Sequence, residues 1–149
     1  MKTPHQKMQK YQNSGENLRT IIAGGRTVSN PSFLEAAIAS CGWTISEVVC
    51  GKASGADTLG ELWGRKNNVP VKEFRPDWND LSNPDAIIRT NRYGKKYDAR
   101  AGIRRNHEMG DYAEAAICLW DGKSVGTKDM IDYATKKGLK VLVFRIDKL

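Results

Sequence analysis

The sequence predicts an α/β fold, a doubly wound three-layer sandwich with a mostly parallel sheet of about five strands. Two observations carry this. Five short β-rich runs alternate along the chain with segments of helical period, and right-handed crossovers between such units place helices on both faces of one sheet. The chain's unusual residues also gather where strands end: Gly24-Gly25-Arg26, Gly51 to Asp57, Asp77-Trp78 and Asp121 to Thr127. In open α/β sheets ligands bind beyond those ends, at the switch in strand order.

The chain has 149 residues, the size of one ordinary domain, with 40% hydrophobic content. No apolar run approaches the roughly 20 residues of a membrane span, and the basic N-terminus lacks an apolar segment for secretion, so a cytoplasmic protein without membrane contact is expected. Cys41, Cys50 and Cys118 are an odd set without zinc or disulfide spacing, and read as buried thiols. The formal net charge is +7, and Arg89, Arg92, Lys95, Lys96, Arg100, Arg104 and Arg105 form a basic stretch opposed only by Asp98. Such a surface suits nucleic acid or a phosphorylated small molecule, and equally serves solubility.

Residues 1–17, with Lys2, Lys7 and Lys10, have no apolar periodicity and read as a flexible basic arm before a domain spanning 18–149. The first strand, 20–23, runs into Gly24-Gly25-Arg26. Asn30 and Pro31 then open a helix whose inward stripe is Phe33, Leu34, Ala37, Ile38 and Cys41. A second strand, 45–50, leads into Gly51-Lys52-Ala53-Ser54-Gly55-Ala56-Asp57 and a helix with Leu59, Leu62 and Trp63 on its apolar side. Residues 71–74 make a shorter third strand. Residues 75–99 lose the pattern; they hold a long basic insertion at about 79–99, with a turn of helix expected near 85–89, and act as a lid or contact surface. Helical period returns over 100–113, a strand follows at 116–120, and Asp121 to Thr127 forms a second glycine-containing junction. Met130, Ile131 and Ala134 face inward in the next helix, and 141–144 is the last strand.

The junctions carry the candidate site. Neither has Walker A spacing, and the strict dinucleotide fingerprint is absent, but Gly51 and Gly55 can bring backbone close to a ligand, as can Gly24 and Gly25. A helix N-terminus there can hold a phosphate. Ser54 and Asp57 also fit a helix cap with an acid three residues later; Asp57 alternatively receives a ribose hydroxyl. Arg26 and Arg105 are the preferred phosphate ligands because a guanidinium offers a fixed fork of donors, with Asn106 beside Arg105. Arg104, on another helical face, can point to solvent. Ser124, Gly126 and Thr127 offer hydroxyls and amides after Gly122, and Thr127 can equally cap the helix that follows. Asp121 can take a sugar hydroxyl or act as a base. Trp78 either stacks on a base or anchors the long loop. No catalytic residue is identified; Asp57 and Asp121 are the weak candidates. His5 and His107 are too isolated for a metal site, so no metal and no cofactor is expected beyond a nucleotide-like small molecule.

Taken together, Gly24-Gly25-Arg26, Gly51-x-Ala53-x-Gly55-Ala56-Asp57, Pro76-Asp77-Trp78, Ala101-Gly102-x-Arg104-Arg105-Asn106-x-x-Met109 and Asp121-Gly122-x-Ser124-x-Gly126-Thr127 resemble the YspA-like, YpsA-related branch of the SLOG superfamily, over about 19–144. More distantly the chain is similar to cytokinin-activating phosphoribohydrolases and DNA-binding DprA proteins. The resemblance implies a Rossmann-like domain that senses or processes nucleotide-derived ligands at its strand ends. In the hydrolases the glycine-threonine motif is followed three residues later by a catalytic glutamate. Here Met130 holds that place, which argues against phosphoribohydrolase chemistry, and Asp129 lies about 100° away around the helix.

The leading expectation is therefore binding or sensing of a nucleotide or phosphoribosyl ligand. The alternatives are N-glycosidic hydrolysis of a nucleoside monophosphate, nucleic-acid binding through the arm and insertion, and a degenerate fold kept as a partner surface. A phosphorylated small molecule is the first partner and nucleic acid the second. A homo-oligomer remains open.

Overall fold

The computed structural model describes residues 15–52 and 55–148. The basic arm through residue 14 and the candidate Ser54 lie outside the described residues. β1 (Asn17–Gly24), α1 (Pro31–Ser40), β2 (Thr44–Cys50), α2 (Ala56–Lys66) and β3 (Val71–Glu73) form the first half. The hairpin strands β4 (Ile88–Thr90) and β5 (Lys96–Asp98) follow, then α3 (Ala101–Tyr112), β6 (Ala115–Trp120), α4 (Val125–Lys136), β7 (Lys140–Arg145) and a 3-10 turn over Ile146–Lys148. The main sheet has five strands in the order β3-β2-β1-β6-β7, all parallel. This is the expected α/β doubly wound, Rossmann-like arrangement.

Strand side chains alternate between faces, and both faces are buried. Ile22, Val48, Cys50, Ile117 and Leu119 pack with Leu34, Ala37 and Leu59 of α1 and α2 on one side. Ile21, Ala23, Val49, Ala116 and Cys118 pack with Met109, Met130 and Ala134 of α3 and α4 on the other. A strand apolar at consecutive positions is what a parallel sheet with helices on both sides requires. Thr20 is the polar exception in the middle of β1: its hydroxyl donates to Leu18 O and accepts from Trp43 Nε1, at 2.9 and 3.0 Å. Burial pushes the Cys50 thiol up to about 11 and that of Cys118 to about 12, so both are packing groups. No helix among the described residues is long and apolar enough to cross a membrane.

The strand order reverses at β1. α1 and α2 return on one face, α3 and α4 on the other, and the carboxyl ends of β1 and β6 are left side by side with a crevice above them.

The insertion departs from expectation. Where a turn of helix is expected near 85–89, the chain forms an antiparallel hairpin with Arg89 opposite Tyr97 and Thr90 opposite Lys96. The Asn91 side chain decides the turn: its Oδ1 accepts from the amides of Tyr93 and Lys95 at 2.9 and 3.0 Å, and Gly94 takes φ +80°. Helix formation at 85–89 would forfeit the pairing of Ile88 with Asp98 and of Arg89 with Tyr97.

Asp98 fastens the insertion to α3. Its side chain is fully buried, with Oδ2 accepting from Arg104 Nη1 at 2.8 Å and Oδ1 from the amides of Arg100 and Ile87 at 2.9 and 3.2 Å. Arg104 also reaches Asp85 at 2.7 Å, so it does not turn to open solvent as its helical position suggested. The Arg104 bond, then those two amides, outweigh burial and hold the Asp98 carboxyl below the usual carboxylate range. A depressed folded-state value contributes stability above the unfolded value of about 4, lost as pH falls through the folded one. Asp98→Asn should therefore lower the melting temperature at pH 6, and the gap between variant and wild type should narrow as pH falls toward 3. A gap that stays constant in a thermal-melt series across that range would refute the role of the Asp98 charge.

Candidate functional site

The crevice at the strand ends has a volume of about 380 Å³, within the range of pockets for small ligands. Four segments build it. The turn after β1 supplies Gly24, Gly25 and Arg26, and the end of β2 with the start of α2 supplies Gly51 and Asp57. Insertion and α3 supply Trp78, Gly102, Ile103, Arg105, Asn106 and Met109; the start of α4 supplies Ser124, Gly126, Thr127 and Met130.

Two glycines make the backbone approach possible. At Gly55, directly before α2, φ is +79°, and a Cβ would lie 2.3 Å from Gly25 O and 2.5 Å from Arg26 C and O. No side chain fits there. The Ala56 amide donates to Gly25 O at 3.3 Å, so the start of α2 is seated on the first glycine turn. Gly51 matters differently: a Cβ there would stand 2.6 Å from Arg105 Nη1. The arginine lies directly against that backbone.

Arg105 is the centre of the site. Its Nη1 donates to Gly51 O at 2.5 Å and its Nε to Asn106 Oδ1 at 3.0 Å. Both acceptors are neutral oxygens. Burial is the largest influence on the guanidinium and pushes its pKa down; Asp57 opposes this and Arg26 adds to it. Two cations thus face one space beside one acid. A further anion there would relieve the repulsion between Arg26 and Arg105. Asn106, itself buried, is held on the other side by Gly126 O and Asp129 Oδ2, both 3.4 Å from its Nδ2, which ties α3 to the first turn of α4.

The first turn of α4 is capped by Ser124, whose Oγ accepts from the Thr127 amide at 3.4 Å; Thr127 is inside the helix and is not its cap. Ser124 Oγ and Thr127 Oγ1 are 3.0 Å apart. Helix geometry leaves the earliest amides of such a turn without an intrahelical acceptor. The other end of the crevice is apolar. Trp78 lies against the first turn of α3, 3.1 Å from where a Gly102 Cβ would be, and meets Tyr97 edge-on at 6.3 Å. It anchors the insertion and also borders the crevice, 37% exposed. Ile103, Met109 and Met130 also line the crevice, the two methionines from the core beneath it.

The structure thus brings together Gly24, Gly25, Arg26, Gly51, Asp57, Trp78, Arg105, Asn106, Ser124, Gly126 and Thr127. Gly55, Asp121 and Gly122 do not line the crevice. Gly55 supports the wall from behind Gly25 and Arg26. Asp121 is used in a turn, its Oδ1 accepting from the Lys123 and Ser124 amides at 2.8 Å each, and those amides hold its carboxyl below the ordinary range. Gly122, at φ +80°, sits beside Arg145 and Asp147. Lys52 is likewise committed, at 2.9 Å from Glu61 and 3.4 Å from Glu73. Ala23, Ala99 and Ile103 were not singled out by their residue types. Ile103 shares a helical face with Asn106 and Gly110, a spacing that marks it only once the inward face of α3 is known.

Among the described lining residues Asp57 is the sole carboxylate, and no histidine joins it. No group of three metal-ligating side chains occurs among the described residues. The arrangement offers cationic donors, backbone amides and hydroxyls at one end and an aromatic and apolar surface at the other.

No curated protein sequence matches the chain. Among solved structures, DNA processing protein A (DprA) from Streptococcus pneumoniae superposes with a TM-score of 0.63 at 17% identity, covering 85% of this chain and 50% of that one. The chain spans half the length of that protein, and the likeness is one of fold. Residues 18–80, from β1 through the first two crossovers to Trp78 and just beyond, match the sequence model described as the YspA, cpYpsA-related SLOG family. That segment, which builds the glycine-rich wall of the crevice, is what the chain shares with the YspA, cpYpsA-related SLOG family model.

Proposed function

We propose that the crevice binds a nucleotide or nucleotide-derived phosphoribosyl ligand, as a sensor or sequestering site. The observation that carries this reading is Arg105, a half-buried guanidinium seated on Gly51 O and Asn106 with a second cation, Arg26, beside it. Phosphate lies between the two arginines and the first turn of α4, where charge-assisted bonds and helix amides converge. The sugar lies toward Asp57. The base lies against Trp78, the aromatic side chain bordering the crevice.

The relationship to the SLOG family supports a role of this general class. Hydrolysis of the N-glycosidic bond is less well supported, because it needs a carboxylate at the anomeric carbon together with proton transfer to the leaving base. Asp57 is the one carboxylate among the described lining residues, and Met130 also lines the crevice.

Gly51→Ala tests the reading without removing a charge. The new methyl occupies the place of the Arg105 guanidinium, the flexible end of a long side chain, so the fold is retained while the donor is displaced. Affinity for a nucleoside 5′-monophosphate, read by calorimetric titration, should fall about tenfold, the equivalent of one charge-assisted bond. The nucleotide should be recovered intact by mass spectrometry. Unchanged affinity would remove Arg105 from the site, and release of free base would show hydrolysis in place of capture.

A further inference from the structure

The crevice does not account for the β4–β5 hairpin. Between Ile88 and Tyr97 it carries Arg89, Arg92, Lys95 and Lys96 and no acid. All four cations are exposed. The flanking acids are already engaged, Asp85 by Arg100 and Arg104 and Asp98 by Arg104, and none of the four forms an ion pair among the described residues. At the tip Tyr93 is 78% exposed, with the Arg92 guanidinium 4.9 Å from its ring centre.

This tip is held in shape. The Asn91 amide donates to Lys95 O at 2.9 Å, and the Asn91 side chain accepts from two further amides of the turn. The far end is fixed to α3 by Asp98. An aromatic ring and a cation are thus presented to solvent on a pre-organised support. Arg89 and Tyr97 are cross-strand partners, so they leave the same face of the hairpin. Tyr97 meets Trp78 at 6.3 Å, and Trp78 borders the crevice, so this face leads to the crevice mouth.

We infer that the β4–β5 hairpin is a contact surface for single-stranded nucleic acid, in which Arg89, Arg92 and Lys95 follow the phosphates, Tyr93 stacks on an unpaired base, and Lys96, paired with Thr90 on the opposite face, adds positive charge without a direct contact. A row of cations joined to an exposed aromatic ring is the chemistry that holds unpaired strands without reading their sequence. A second copy of the chain would bring the same positive charge to the contact, and an acidic protein would leave the tip ring without a role. The inference is independent of the small molecule in the crevice, because the groups are different ones.

The test is fluorescence anisotropy with an oligothymidylate of roughly 12 nucleotides lacking a terminal phosphate, with an oligouridylate alongside to separate DNA from RNA. The wild type should bind, with a log–log salt slope of about −2 for three phosphate contacts. Tyr93→Ala should weaken binding about tenfold and the triple variant Arg92→Ala, Tyr93→Ala, Lys95→Ala about a hundredfold, each keeping the wild-type melting temperature and nucleoside monophosphate affinity. Arg105→Met should keep oligonucleotide affinity, so failure at the crevice and failure at the hairpin are told apart. The inference is overturned if the wild type does not bind at about 50 mM salt, or if the triple variant binds as tightly as wild type. It is also overturned if duplex DNA or polyglutamate competes as well as the single strand.

Discussion

Arg105→Met is expected to weaken binding of a nucleoside 5′-monophosphate about a hundredfold while leaving the fold intact. The size follows from what the guanidinium does. It is half-buried against Gly51 O and Asn106 Oδ1, which use two of its N–H bonds and orient the rest. A charge-assisted bond to phosphate contributes about 1.5–3 kcal/mol, and a factor of one hundred is about 2.7 kcal/mol. Methionine keeps the stem's packing and removes the charge. The fold should tolerate this, since burial already works against the charge at that position. Retained nucleotide affinity, by calorimetry on a variant with a native melting curve, would locate the phosphate elsewhere.

Gly55→Ala is expected to have the largest effect on stability. Its methyl would be placed 2.3 Å from Gly25 O and 2.5 Å from the Arg26 carbonyl group, and these are backbone atoms that cannot swing aside. The backbone there, at φ +79° and ψ −123°, is also one that side chains rarely adopt. Strain of about 1–3 kcal/mol and overpacking of similar size add to a loss of roughly 3 kcal/mol, or about 10 °C in melting temperature. Gly94→Ala separates the two causes. Gly94 has φ +80° but nothing within 4 Å of a Cβ, so that variant should lose only the strain, about 1 kcal/mol. Equal losses in thermal melts of the two variants would mean that the close seating of α2 on the first glycine turn is not what Gly55 secures.

The parts of this architecture that depend on local pattern were legible in the sequence. Ile21-Ile22 and Val48-Val49-Cys50 are apolar at successive positions, as a strand buried on both faces requires, and Asn30-Pro31 marks the start of α1 through its cap, Asn30 Oδ1 accepting from the Ser32 amide. Once the strands are placed, the crevice position follows from topology, which is why most of the candidate residues meet there. What escaped was set by contacts distant in sequence. The hairpin was readable in principle from β-branched and aromatic residues around Asn91 and Gly94, but its short strands give almost no periodicity. Arg104 looked solvent-facing because its helical angle was judged without the insertion, whose Asp98 and Asp85 meet it. Asp121 looks like a ligand group because an acid at a strand end can bond either to a sugar or to the amides two and three residues on, as it does here, and only the backbone path decides between them. Asp57 and Met130 face the same crevice, although neither residue type alone indicates whether the site binds or cleaves.

The central claim is that the Arg26 and Arg105 end of the crevice reads a phosphate and the Trp78 end reads what the phosphate is attached to. The most direct measurement is a paired calorimetric titration of a nucleoside 5′-monophosphate and its parent nucleoside into the wild type and into Arg105→Met. Removing the phosphate should cost the wild type about a hundredfold in affinity and the variant about tenfold or less, a coupling of at least about 1.4 kcal/mol between phosphate and guanidinium. An equal loss in both proteins would contradict the account.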